Sequence, residues 1–272
     1  MCKVLTYNYL KSMRNLLVFI LFSVCMFYKG SAQNQSAFQN GEWFKFDMSY
    51  SGFLKAGEAT LEVKDNEFKG KPVYHIVGKG WTTGAIKWFF KVEDLYESYI
   101  DKSTYVPYKF IRKIDEGGHT KDIEIEFNQS ANKALVNNKK RATSKEFDIP
   151  KNVQDMVSTF YFLRNELEIE KLKAGDEILV DMFFDEENYA FKLRYLGTET
   201  IETEFGKIAS LKFRPYVMAG RVFKEEESLT LWVSNDRNKI PLRIKADLAV
   251  GSLRADLSAF KGLKHPFKLI AD

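Results

Sequence analysis

The chain has few of the residues that usually carry chemistry. Its two cysteines, Cys2 and Cys25, both precede residue 33. A product cleaved at that point has no thiol, which excludes disulfide stapling and cysteine nucleophiles and leaves stability to packing. The three histidines, His75, His119 and His265, stand far apart without ligand spacing such as H-x-x-x-H, so no metal site is expected. There is no G-x-S-x-G elbow to present a serine. The glycine-rich "GKGWTTG" lacks phosphate-loop spacing and reads as a loop. No Pro/Gly/Ser-rich linker, low-complexity tract or clear repeat divides the chain, so one domain is expected.

No excess of basic charge survives export. The first residues carry Lys3, Lys11 and Arg14 without an acid, then the apolar run Leu16–Tyr28, then small residues at Gly30 and Ala32. This is the pattern of a secretory signal peptide over residues 1–32, cleaved near Ala32, with Met1 or Met13 as the start. The run falls short of the roughly 20 residues a membrane-spanning helix needs. Cys25 is not read as a lipidation site, because Val24 stands where a small residue is expected. With Lys29 the segment holds four of the 41 basic side chains, so 37 remain against 37 acidic ones. A neutral product has no general attraction for nucleic acid or an anionic surface. A periplasmic or extracellular location follows for residues 33–272, with no cofactor and no integral membrane span.

Those 240 residues are long enough for one large β domain with a real core. Period-two alternation runs through most of them. Ile123, Ile125 and Phe127 face one way and Asp122, Glu124 and Glu126 the other; Ile178, Val180, Met182 and Phe184 repeat the pattern. "DEEN" and the Phe205-Gly206 region read as hairpin turns. Near the end, apolar residues hold even positions from Leu242 to Val250 and odd positions from Leu253, so a bulge or sharp bend is expected at Gly251. The fold class is mainly β: about a dozen antiparallel strands in a barrel-like or strongly coiled sheet, closed or open.

One segment departs from alternation. "NVQDMVSTFYFLRNEL" predicts a buried α-helix near residues 153–165, capped by Asn152 with Asp155 reaching back. Val153, Met156, Val157, Phe160 and Leu163 share one side, and Phe162 points nearly opposite. Arg164 projects into the apolar face, about 180° from Asp155, so it must snorkel to water or meet an acceptor from elsewhere. Asp155 reads as a cap, and Ser158 and Thr159 as packing or back-bonding residues. The helix reads as a plug rather than an active site.

The segments "GEWFKFDMSYSGFLKAGEATLEV", "QDMVSTFYFLR" and "GRVFKEEESLTLWVSNDRNKIPLRIKADLAVGSLRADL" together resemble the exported bacterial proteins catalogued as domain of unknown function 3108. The resemblance covers nearly all of the chain after the signal. It is carried by Asp155, Ser158, Tyr161 and Arg164 on the helix, and by the turn with Asp236 and Pro241 that runs into the strand at Gly251. Asn235 departs from it, where a second acid beside Asp236 is expected. The resemblance implies an exported single-domain β protein and no particular reaction.

The remaining candidates concern binding. In "WTTGAIKWFFKVED", Trp81, Trp88 and Phe89 either fold onto the core or form an apolar lip at a barrel mouth. With Arg164, Tyr161 and Trp232 they make up the candidate ligand-binding set. The function expected is non-enzymatic binding of an apolar or amphipathic cell-envelope molecule. One alternative is an envelope interaction or assembly factor without a ligand pocket. Another is a hydrolase of envelope polymers using paired carboxylates among acids such as Asp94, Asp101 and Asp236.

Overall fold

The computed structural model describes residues 36–216, 229–248 and 250–270, so the signal segment with Cys2 and Cys25 lies outside the described residues. The first strand, β1 (Trp43–Tyr50), takes a middle place in the sheet, because both halves of the chain pair with it. On one side the chain meanders outward through β2 (Leu54–Phe68), β3 (Lys71–Thr82), β4 (Val92–Asp101), β5 (Pro107–Glu116), β6 (His119–Asn128), β7 (Lys133–Asn138) and β8 (Thr143–Asp148). It then crosses to the far edge and meanders back through β9 (Glu177–Phe184), β10 (Glu187–Thr203), β11 (Gly206–Tyr216), β12 (Leu229–Ser234), β13 (Pro241–Asp247) and β14 (Ser252–Lys261), which pairs with β1. The result is one 14-stranded sheet, antiparallel at every ladder.

Alternation sets which face is buried. In β6, Ile123, Ile125 and Phe127 are buried while the acids between them are half-exposed. Each such side chain contributes about 1.5–3 kcal/mol when fully removed from water. Burial of one face bends so wide a sheet around its own core. The wrap stops short of closure, because no ladder joins β8 to β9. Instead the backbone of Gln154 pairs with β9: its N–H donates to Asp181 O at 2.9 Å and its carbonyl accepts from Phe183 N–H at 2.9 Å. The Phe183 ring meets Phe127 on β6 and Phe147 on β8, with centroids 6.3 and 5.6 Å apart. The architecture is therefore an open barrel-like sheet whose edges are bridged by side chains.

A four-residue helix, α1 (Ile86–Phe89), interrupts the β3–β4 connection, and α2 (Met156–Glu166) lies against the concave face. The cap differs from the sequence expectation: Asp155 itself is the N-cap. Its Oδ1 accepts the N–H groups of Val157 and Ser158, both at 2.7 Å, and the Ser158 hydroxyl accepts the Asp155 N–H at 2.8 Å. Asn152, the expected cap, lies in the preceding turn at φ 59°. Asp155 wins because Ser98 on β4 donates to its other oxygen at 2.6 Å, a tertiary contact that local spacing does not reveal. Met156, expected on the buried side, is 38% exposed.

The bulge or sharp bend expected at Gly251 takes the form of a turn between two strands. At φ 71° Gly251 occupies the connection between β13 and β14, where the Leu248 N–H donates to its carbonyl at 3.1 Å. The switch of apolar parity is therefore a full reversal of the chain.

Candidate functional site

Two ends of the wrapped sheet differ in construction. The connections β2–β3, β10–β11 and β12–β13 share one end with both terminal segments, and α2 plugs it. Arg164, 2% exposed, is its hub. Its Nη1 and Nη2 donate to the two oxygens of Glu42 at 2.6 and 2.7 Å. Its Nε and Nη2 donate to the Asn238 carbonyl at 3.0 and 2.9 Å, and Nη2 reaches Ala37 O at 3.4 Å. The rings of Phe38, Phe44, Phe160 and Tyr161 surround the guanidinium at 5.2–5.5 Å. Asn238 in turn exchanges hydrogen bonds with the His265 backbone, and Lys239 Nζ donates to Arg164 O at 2.8 Å. Asp236 holds this turn by accepting from the Ser234 hydroxyl and from the Asn238 and Lys239 N–H groups. Pro241 opens β13 at the register shift opposite Val233. One guanidinium thus joins the amino-terminal segment, α2 and the β12–β13 turn, and through Asn238 the carboxy-terminal segment.

Between α2 and the opposite end, the concave face leaves a cleft of about 600 Å³. Met156, Val157 and Phe160 of α2 form one wall. Phe46 and Met48 of β1, Ala59 and Leu61 of β2, Leu231 of β12, Ile244 and Ala246 of β13 and Leu253 and Ala255 of β14 form the rest. Almost all of its accessible lining is carbon. Gly78 and Gly80 explain why it is open: they stand two apart on β3, and a Cβ built at Gly80 meets nothing within 4 Å. "GKGWTTG" is therefore not a loop as its composition suggests, since Gly78 through Thr82 continue β3. Alternation makes two glycines at this spacing a bare stripe on one face of a strand, a signal the sequence does carry. The volume lies within the range of small-molecule sites, about 300–1,000 Å³.

Asp94 on β4 is the single carboxylate lining the cleft among the described residues. Burial pushes its carboxyl up to about 6, with repulsion from Glu116 adding to the shift. Asp155 is also raised to about 6 by burial, against the hydrogen bonds from Ser98, Ser158 and Val157. A carboxyl raised from its unfolded value of 3.8 favours the fold fully below that value, and the benefit is lost as pH rises through about 6. Asp155→Asn keeps two acceptor bonds and offers an amide donor to Ser98. Urea titrations at several pH values should therefore show one of two stability losses between pH 4 and 6 removed, with the Asp94 loss remaining.

The sequence-predicted binding residues are not gathered around this cleft. Arg164 and Tyr161 belong to the plugged end, where the Tyr161 ring packs on Phe38 with centroids 4.6 Å apart. Burial pushes its hydroxyl well above the ordinary tyrosine value, and Glu42 adds to the shift. Trp232 alternates away from Leu231 and packs with Ile201, Ile208 and Leu242, its Nε1 donating to Glu199 at 3.0 Å. Trp81 is half-buried on β3, while Trp88 and Phe89 project to solvent from α1. His75 is taken up by Glu97 at 2.6 Å and by stacking on Tyr99, and no cluster of metal-ligating side chains occurs among the described residues. Asp101 organises a turn: burial opposes its charge, but donors from Ser103, Thr104 and Tyr108 hold its carboxyl well below the usual range.

A second, polar groove of about 470 Å³ is lined by Asp47, Lys55, Glu202, Arg243, Arg254 and Asp256, among others. Asp47 and Asp256 are cross-strand neighbours there, and Asp256 accepts from Arg243 Nε and Arg254 Nε, each at 2.5 Å. A glycosidase pair flanks its substrate with two carboxyls free to reach it, whereas Asp256 is engaged by both guanidiniums.

These features define a class: an open, barrel-like antiparallel sheet with a plugging helix and an apolar concave cleft. The sequence matches the family described as "Protein of unknown function (DUF3108)" over residues 45–258, and the chain belongs to that family. No curated protein matches it. Among crystal structures, it is similar to a β-barrel-like protein of domain of unknown function DUF1849 from Brucella abortus. The two are 10% identical with a TM-score of 0.53, across 84% of this chain and 100% of that one, and the likeness is one of fold alone. A candidate lipoprotein from Parabacteroides distasonis is 12% identical with a TM-score of 0.35, across 84% of this chain and 99% of that one. A candidate exported protein with a YmcC-like fold from Bacteroides fragilis is 10% identical with a TM-score of 0.34, across 82% and 97%. No described helix is long and apolar enough to cross a membrane.

Proposed function

We propose that this protein is exported and binds an apolar or amphipathic cell-envelope molecule in the cleft between α2 and β1–β4 and β12–β14, without catalysing a reaction. The observation that carries the reading is the cleft itself: about 600 Å³, walled by aliphatic and aromatic carbon. Gly80 on β3 faces its open space, and Gly78 beside it adds no side chain to the wall. Apolar surface left open to water is costly, and a ligand tail that covers it recovers about 25 cal/mol per Å². Among the described residues Asp94 is the one acid of this lining, and the acids near it, Glu116 and Asp115, do not line the cleft. Export rests on the amino-terminal pattern of charge, apolar run and small residues.

The test is a variant that blocks the cleft without straining the fold. Gly80→Leu places a side chain into open space at a strand position with an ordinary φ. Titration with a fluorescent acyl-chain probe should show saturable binding to the wild type and at least about a tenfold loss in the variant, the factor that 1.4 kcal/mol supplies. The melting curve should not fall. Equal binding by both proteins would remove the probe from the cleft and contradict the reading.

A further inference from the structure

The end of the sheet opposite α2 carries apolar side chains among the described residues that the binding cleft does not use. Trp88 and Phe89 on α1 are 90% and 87% exposed, and Phe53 at the β1–β2 tip is 84% exposed. Val250, in the β13–β14 connection, is also exposed. These tips are neighbours. The Ser51 N–H donates to Ser252 O at 2.7 Å and the Tyr50 hydroxyl to Val250 O at 2.9 Å, which joins the first tip to the last. The Thr83 N–H donates to Ala56 O at 3.2 Å and ties the α1 connection to β2. Below α1, the Phe90 ring lies against Gly117, whose N–H donates to Lys91 O at 2.8 Å, so the projecting residues stand on a fixed base. Leu248 and Leu253 of the cleft wall flank the β13–β14 connection, so the mouth opens among these tips.

We infer that this end docks on a lipid bilayer surface, with Trp88, Phe89 and Phe53 inserted at the interface and the cleft mouth turned toward the lipid. Three properties select a bilayer. The three aromatic side chains of these tips are 84–90% exposed, so they stand in solvent rather than lie against the protein. Their backbone is internally satisfied: Phe53 N–H donates to Tyr50 O, Trp88 N–H to Ala85 O and Phe90 N–H to Ile86 O, so no strand or peptide is invited to pair. Tryptophan settles at the headgroup boundary, and phenylalanine beside it supplies apolar surface that inserts. Charge adds little. Lys55 is matched by Glu58 and Asp47, Lys91 by Glu93 and Asp115, and Lys87 faces Glu93. Docking therefore depends on apolar insertion rather than on anionic lipid. That the cleft draws its ligand from that bilayer rests on the proposed function; the docking itself does not.

The experiment is co-sedimentation of the exported chain with phosphatidylcholine vesicles, with and without phosphatidylglycerol and added salt, while tryptophan emission is followed. The wild type is expected to sediment with both vesicle types, to shift its emission to shorter wavelength and to respond little to salt. The double variant Trp88→Ser, Phe89→Ser should bind vesicles about a hundredfold more weakly, as expected when two such side chains return to water. It should still bind the acyl probe in solution. Gly80→Leu should do the reverse, losing the probe and keeping the vesicles, so failure of docking and failure of the cleft are separable. The inference is overturned if the wild type stays in the supernatant, if the double variant sediments equally well, or if these residues instead capture a protein partner while vesicles are ignored.

Discussion

Replacing Arg164 by alanine should lower unfolding free energy by about 3–5 kcal/mol, the cost of breaking a buried ion pair by removing one partner. The loss has identifiable parts. Glu42, fully buried, is left with a charge whose two donors are gone, and the Asn238 carbonyl loses two more. Four aromatic rings lose the cation they enclose. Glu42→Ala should cost a similar amount for the mirror-image reason. A paired change to Arg164→Met with Glu42→Leu should recover most of the loss, because replacing both charges by apolar volume avoids an orphan in the core. Chemical denaturation of the four proteins measures this directly. An Arg164→Ala curve that overlays the wild type would mean that the guanidinium is solvated and that the plugged end is held by something else.

Gly262→Ala should be comparably damaging, about 3 kcal/mol or more, from a change of one methyl group. Gly262 has φ 70°, in the left-handed region where an L side chain is strained. A Cβ built there runs into the carbonyl of Gly41 and approaches the Glu42 N–H, so the obstruction is backbone and cannot rotate away. The position closes the same assembly: Gln39 Nε2 donates to Gly262 O and Leu263 O at 3.2 and 3.1 Å, holding the carboxy-terminal segment beside the residue that receives Arg164. The midpoint of urea unfolding should fall without a change in slope. An unaffected midpoint would show that these two segments do not pack at this distance.

What the sequence made legible was local. Ile123, Ile125 and Phe127 announce their buried face because strand periodicity needs only adjacent residues. Arg164 could be recognised as a charge in search of an acceptor, and Asp155 as a group too far round the helix to be that acceptor. Glu42 could not be named, since it lies 122 positions away and meets Arg164 only after the sheet has wrapped. The strand order was hidden for the same reason: β1 pairs with both β2 and β14, so the middle of the sheet is made by its two chain ends. Asn152 lost the cap to Asp155 through Ser98, a residue 57 positions distant. The cleft was missed because it is defined by missing side chains, and Gly78 and Gly80 read by composition as a loop when they are a bare stripe on β3. Trp88 and Phe89 read either as packed onto the core or as an apolar lip, and their exposure is what the structure adds.

The proposed function turns on whether the concave cleft holds an apolar tail. Native mass spectrometry of the protein, purified without detergent alongside Gly80→Leu, measures that. A small-molecule adduct on the wild type that is absent from the variant is the expected result; the bare chain mass in both, or the same adduct on both, would contradict it.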